Sequence, residues 1–119
     1  MLSKKYRFHS RGGVKYVYQK GNTIRKPGIS LVFCDNTKKY TRIAVVVSKK
    51  VEKTAVKRNR IRRRIYEALR INMDLVPKER DYIFVVYDKK IERIAFRELE
   101  KLLGELVAES KVCYNKKNG

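Results

Sequence analysis

The sequence predicts an α+β sandwich: a small mixed sheet with helices packed on one face, in the order helix, strand, strand, helix, strand, helix. Three observations carry this. Ile29–Cys34 sets Ile29, Leu31 and Phe33 alternately against Ser30, Val32 and Cys34, and Arg42–Val47 is rich in β-branched residues. The turn chemistry of Asp35-Asn36-Thr37-Lys38-Lys39 between them predicts a hairpin. Tyr82–Tyr87 is almost wholly apolar and β-prone, as a central strand would be. Two further stretches repeat apolar residues every three or four positions, which predicts helices with one buried stripe: Ile61, Ile65, Ala68, Leu69, Met73 and Val76, then Ile94, Leu99, Leu102, Leu103 and Leu106.

In chain order, residues 1–11 read as a basic arm, with Lys4, Lys5, Arg7 and Arg11 interleaved with Tyr6 and Phe8. Cations beside aromatic rings suit single-stranded nucleic acid, charge for phosphate and ring for base. Gly12-Gly13 is expected to break the backbone. Val14, Val17 and Tyr18 then make a short helical stripe ending at Gly21, a C-cap position. A loop containing Pro27-Gly28 precedes the first strand. After the second helix, Pro77 and Lys78-Glu79-Arg80-Asp81 close the element. The last helix is expected to begin between Ile91 and Ala95. Gly104 weakens it by roughly 1 kcal/mol, and residues 109–119 read as a loose basic tail.

Length and composition limit the class. A chain of 119 residues with 43% hydrophobic residues suits one folded domain, residues 1–119. The formal net charge of +19 calls for a polyanionic partner. No apolar run approaches a membrane span, no secretory leader stands at the start, and there is no Trp for a membrane-surface helix, so a cytoplasmic place and no membrane partner are expected. Cys34 and Cys113 have no metal-like spacing, and the single His9 completes no zinc set. The 12 acids are scattered, without the Asp/Glu cluster of a magnesium-dependent protein nuclease. A lone His9 in a basic arm reads as a solvated side chain or phosphate contact, so no catalytic residue is assigned.

The functional stretch is Ser48–Ala68. Nine cations stand in its first seventeen residues (Lys49, Lys50, Lys53, Lys57, Arg58, Arg60, Arg62, Arg63 and Arg64) against one acid, Glu52. Thr54 is a candidate N-cap for the helix that follows. With Ile61 and Ile65 turned to the core, the guanidiniums and Asn59 project elsewhere on the helix. Arg presents planar, bidentate donors that fit phosphate oxygens, so an anchored helix of this kind can grip a nucleic-acid backbone. Arg64 and Arg70 read as ordinary surface charges. Composition leaves open a small basic ribosomal protein; a DNA-reading helix is disfavoured because only Asn59 offers base-reading chemistry.

Ser48-Lys49-Lys50 after a valine-rich strand, followed by Val56-Lys57-Arg58-Asn59-Arg60-Ile61-Arg62-Arg63-Arg64-Ile65, resembles the signature of the protein subunit of bacterial ribonuclease P. Arg7-Phe8, Lys20-Gly21 and Asp81-Tyr82-Ile83 extend the resemblance over about residues 5–107. The chain departs from it at Gly12-Gly13-Val14, where family members usually carry acids and a Phe, and at Phe8, where an aliphatic residue is usual. The resemblance implies a left-handed crossover around residues 42–87, against the right-handed hand of about 98% of such units. It implies a catalytic RNA and precursor tRNA as partners, with no protein partner inferred. Cleavage would be carried by the RNA, with magnesium or similar divalent ions held mainly there. On the family pattern, Lys49, Lys50, Lys53, Lys57, Arg58, Asn59, Arg60, Arg62 and Arg63 face the catalytic RNA. Phe8, Val14, Lys15, Tyr18, Val32 and Ser48 then receive the single-stranded 5′ leader of the precursor.

Overall fold

A computed structural model describes residues 11–35, 41–72 and 80–118. They form α1 (Arg11–Lys20), β1 (Asn22–Lys26), β2 (Ile29–Asp35), β3 (Arg42–Val47), α2 (Ala55–Ile71), β4 (Arg80–Val86), a 3₁₀ turn (Lys89–Glu92) and α3 (Phe96–Asn118). One mixed sheet has the strand order β1-β2-β4-β3: β2 is antiparallel to β1 and to β4, while β3 and β4 run parallel. A parallel pair needs a crossover, and α2 lies in the chain between its two strands. The α+β class, the mixed sheet and the three helices agree with the sequence reading.

The predicted hairpin does not form. β4 inserts between β2 and β3. The physical reason is pairing and burial: the apolar run Tyr82–Val86 gains hydrogen-bond partners on both edges at an inner position, under the helices that cover the two faces, whereas a β2–β3 hairpin would put it at an edge. The parallel pair is locked by Arg42, whose Nε and Nη2 each donate to Asp81 at 2.8 Å, from directly opposite in register. This bidentate pair is buried on the Asp81 side.

β1 occupies residues predicted as loop. Asn22-Thr23-Ile24-Arg25-Lys26 has a single apolar residue, Ile24, facing Leu31 across the register and buried in the core. A polar edge strand gives little periodic signal; the pairing with β2 makes it a strand. The connection is the two-residue turn Pro27-Gly28. Gly28 sits at φ 86, which a side chain resists, and its carbonyl accepts the amides of Tyr87 (2.8 Å) and Asp88 (3.3 Å). Gly21 is required for a different reason: a Cβ there would lie 2.4 Å from the Val17 carbonyl oxygen and 2.7 Å from that of Phe33.

Both faces of the sheet are covered, not one. Ile29, Leu31 and Phe33 of β2, with Ile43, Val45, Tyr82 and Phe84, pack against Ile61, Ile65 and Leu69 of α2 and Leu99, Leu103 and Leu106 of α3. The opposite face holds a smaller cluster, Val17 of α1 on Val32, Cys34, Ala44 and Ile83. Gly12 and Gly13 do not break the chain but lie within α1, which begins at Arg11. α2 ends at Ile71, where the Asn72 Nδ2 donates to Ala68 O (2.9 Å) and to Glu100 Oε2 (3.3 Å), tying the helix end to α3. Tyr66, absent from the predicted stripe, is buried too. Met73, Val76, Phe8, His9 and the predicted turn at residues 36–39 lie outside the described residues. α3 starts just past the predicted window and continues to Asn118, so the expected loose tail is helical up to there.

Tyr82 is fully buried, and burial raises its phenol above the ordinary tyrosine value of about 10. A group with a raised folded-state pKa contributes stability below the unfolded value and loses it as pH climbs through the folded one. Alkaline unfolding should therefore set in above about pH 10, and Tyr82→Phe should shift its midpoint upward in circular dichroism followed against pH. An unchanged midpoint would show that Tyr82 does not limit alkaline stability.

Candidate nucleic-acid interface

The cationic stretch is divided by the helix it builds. Ile61, Ile65, Ala68 and Leu69 are buried, while Lys57, Asn59, Arg60 and Arg63 are exposed and Arg58 and Arg62 half-buried. Lys49, Lys50 and Lys53 stand exposed on the connector between β3 and α2. This connector is ordered by its own backbone: the Ser48 carbonyl accepts the amides of Val51 (3.1 Å) and Glu52 (3.2 Å), and Val51 packs on the core. Thr54 is the N-cap residue, but its side chain makes no capping bond and the first turn of α2 holds no acid. The one carboxylate at this end of the helix is that of Glu52, which accepts the Thr54 amide at 3.1 Å, and the lysines around it leave the region strongly positive.

The signature residues differ in how far they are committed within the chain. Arg58 Nη1 donates to the carbonyls of Glu52 (2.9 Å) and Lys53 (2.8 Å). Arg62 Nη1 donates to Asn59 Oδ1 at 2.8 Å, and Arg60 reaches Glu92 at 3.3 Å. Arg64, read from sequence as a surface charge, is a structural clamp. Its guanidinium donates to the carbonyls of Ile91 (2.7 Å), Glu92 (2.5 Å) and Ile94, fastening the 3₁₀ turn to α2. Nothing in the sequence pattern separates Arg64 from its neighbours, because its partners are main-chain atoms about thirty residues away. Arg70 pairs with Glu67, whose carboxyl is held down to about 2, chiefly by that guanidinium.

The α1 face of the sheet brings together a second set. Val32 is buried under Val17, so it floors the face rather than lining an open wall. Tyr18 is 45% exposed and not in the core; burial, and secondarily the neighbouring Tyr87, raise its phenol pKa. Lys15 and Ser48 are exposed, Ser48 directly after β3 where this face meets the connector. Val14 lies in α1, and Phe8 is outside the described residues. The sequence reading missed two members. Tyr87, expected in the central strand, lies just past β4 and is 54% exposed, its hydroxyl accepting from Ser30 Oγ at 2.9 Å. Arg25, opposite Ser30 in the register, adds an exposed cation on the same face. The signal for Tyr87 was the alternation itself: Ile83, Val85 and Tyr87 form one side, Tyr82, Phe84 and Val86 the other.

Among the described residues, no group of three or more His, Cys, Asp or Glu side chains is placed to hold a metal ion, and no helix is long and apolar enough to cross a membrane. Cys34 is a buried free thiol whose pKa burial pushes up.

Comparison with known proteins places this architecture. The family model described as Ribonuclease P matches residues 2–111. The ribonuclease P protein component of Pseudanabaena sp. is 34% identical over 115 residues, covering 96% of this chain and 98% of that protein. That of Finegoldia magna is also 34% identical, covering 94% and 98%. The solved ribonuclease P protein of Thermotoga maritima superposes with a TM-score of 0.77 at 25% identity, over 85% of this chain and 94% of that one. The Staphylococcus aureus ribonuclease P protein shares the fold at 23% identity, with a TM-score of 0.78 over 90% and 96%. A family match across nearly the whole chain, on a fold that carries the Arg58-Asn59-Arg60 helix, decides against the ribosomal alternative: the chain belongs to the ribonuclease P protein family.

Proposed function

We propose that this chain is the protein component of a ribonucleoprotein ribonuclease P, binding the catalytic RNA through the connector and α2 and the 5′ leader of precursor tRNA through the α1 face of the sheet. The observation that carries this is the segregation within α2, which buries Ile61, Ile65 and Leu69 and leaves Lys57, Arg60 and Arg63 outward beside Lys49, Lys50 and Lys53. A fixed array of this kind neutralises the phosphates of a folded RNA and releases its counterions. The described carboxylates are dispersed or paired with cations, which suits a protein that leaves the divalent ions and the hydrolytic step to its RNA. Cytoplasmic residence belongs to the same reading.

Reconstitution tests it. The protein alone should leave precursor tRNA intact, and with ribonuclease P RNA transcribed from the same genome it should lower the magnesium and salt needed for leader removal. Leader removal by the RNA-free protein, or no change in the RNA's requirement, would overturn the assignment.

The leader surface has its own test. Tyr18 and Tyr87 are exposed rings beside Arg25, and stacking of an unpaired base on such a ring is worth about 1–3 kcal/mol. Tyr18→Ala should therefore lower the affinity of the holoenzyme for precursor relative to mature tRNA by about five- to a hundredfold, with affinity for the catalytic RNA unchanged. Titration of both tRNAs checks this; an unchanged ratio removes Tyr18 from the site.

A further inference from the structure

Arg58 opens the Arg-Asn-Arg segment, yet its guanidinium turns back along the chain. One nitrogen, Nη1, donates to the carbonyls of Glu52 and Lys53 at 2.9 and 2.8 Å. Glu52, the lone acid of the cationic stretch, closes the same loop from the other side: its Oε1 accepts the Thr54 amide at 3.1 Å. That contact is the main reason its carboxyl is held below the usual carboxylate range. With the Val51 and Glu52 amides on Ser48 O, the connector is fixed at its start, middle and end. Lys49, Lys50 and Lys53, the three exposed cations it carries, have no carboxylate within ion-pair distance among the described residues.

We infer that Arg58, braced with Glu52, is a positioning residue: it binds the connector's main chain instead of phosphate and presets Lys49, Lys50 and Lys53 for the RNA. The inference rests on the connector and α2 being the RNA face. A seven-residue connector without this brace would have to be ordered at the moment of binding, at a cost in entropy for each residue. Arg suits the role because the two N–H groups of Nη1 lie in the rigid guanidinium plane and diverge to two adjacent carbonyls, an orientation that an ammonium on a flexible stem does not fix. Nη1 of Arg58 is thereby committed to main-chain oxygens, and the effect of Arg58 on RNA binding passes through the lysines.

A double-mutant cycle separates positioning from direct contact. Ribonuclease P RNA from the same genome is titrated with wild type, Arg58→Ala, Arg58→Lys, the Lys49→Ala/Lys50→Ala/Lys53→Ala triple variant, and the triple variant with Arg58→Ala, at several salt concentrations. Thermal melts accompany each to confirm folding. Arg58→Ala is expected to weaken binding about tenfold in the wild-type background and by no more than about twofold in the triple variant. Arg58→Lys, which keeps the charge, should not restore affinity. Within the triple variant the salt slope should not change when Arg58 is removed, whereas a lost phosphate contact would flatten it by about 0.9, taking duplex DNA as the guide. Additive effects, or rescue by lysine, would make Arg58 a phosphate ligand and overturn the inference while leaving the RNA face intact. A triple variant that binds as wild type would remove the connector lysines from the RNA face, and overturn this inference with them.

Discussion

Replacing Lys49, Lys50, Lys53, Lys57 and Arg63 together by alanine is expected to weaken binding of the ribonuclease P RNA by about three orders of magnitude at physiological salt. All five side chains are exposed, and none is in an ion pair among the described residues. Each phosphate neutralised contributes about 0.9 to the slope of log affinity against log salt, so five lost contacts should flatten that slope by about 4.5. Stability should not fall, because the substitutions empty no core position and relieve repulsion in a chain of net charge +19. Filter binding across a salt series, with a melt of each protein, measures both. A five-site variant that keeps both the wild-type affinity and the wild-type slope would mean that the exposed face of α2 is not where RNA sits.

Ile65→Ala should do the reverse, with a large cost in stability and no direct effect on charge. Ile65 is fully buried where α2 meets the sheet. Truncating a buried Ile to Ala leaves a cavity and costs about 2–5 kcal/mol, equivalent in a domain of this size to a melting temperature about 10–20 °C lower. Val56→Ala, on the same helix but at an exposed site, should stay within about 0.5 kcal/mol of wild type. Denaturant melts of the two variants decide the matter: equal losses would mean that α2 is not anchored by its apolar stripe. Together the two experiments test the division of one helix into a face that holds the fold and a face proposed to hold the RNA.

The helix at 55–71 was legible in the sequence because its information is local. Apolar residues three and four apart must share a side, and nine cations cannot be buried, so the division into core and surface follows from chemistry and helical period alone. The same holds for β2 and β3, whose β-branched and alternating residues predicted their spans closely, and for the class of partner, which the net charge and the Arg58-Asn59-Arg60 context indicated. Strand order was not legible. Adjacent strands with turn residues between them read as a hairpin, and only the gain from pairing both edges of the apolar β4 at the centre of the sheet places it between them. β1 escaped notice because an edge strand with one apolar residue is made by its neighbour's hydrogen bonds, not by its own propensity. Side-chain partners at long separation were equally out of reach. Nothing distinguishes Arg64, clamped to the carbonyls of Ile91, Glu92 and Ile94, from Arg63, which stands exposed one position earlier. Sequence by itself determined the apolar stripes of α2 and α3, which element is cationic and what chemistry that element can meet. Tertiary structure decided which strands are neighbours, which tyrosines face outward and which arginines are tied to main-chain carbonyls, because each of those depends on atoms that the chain brings together only after it folds.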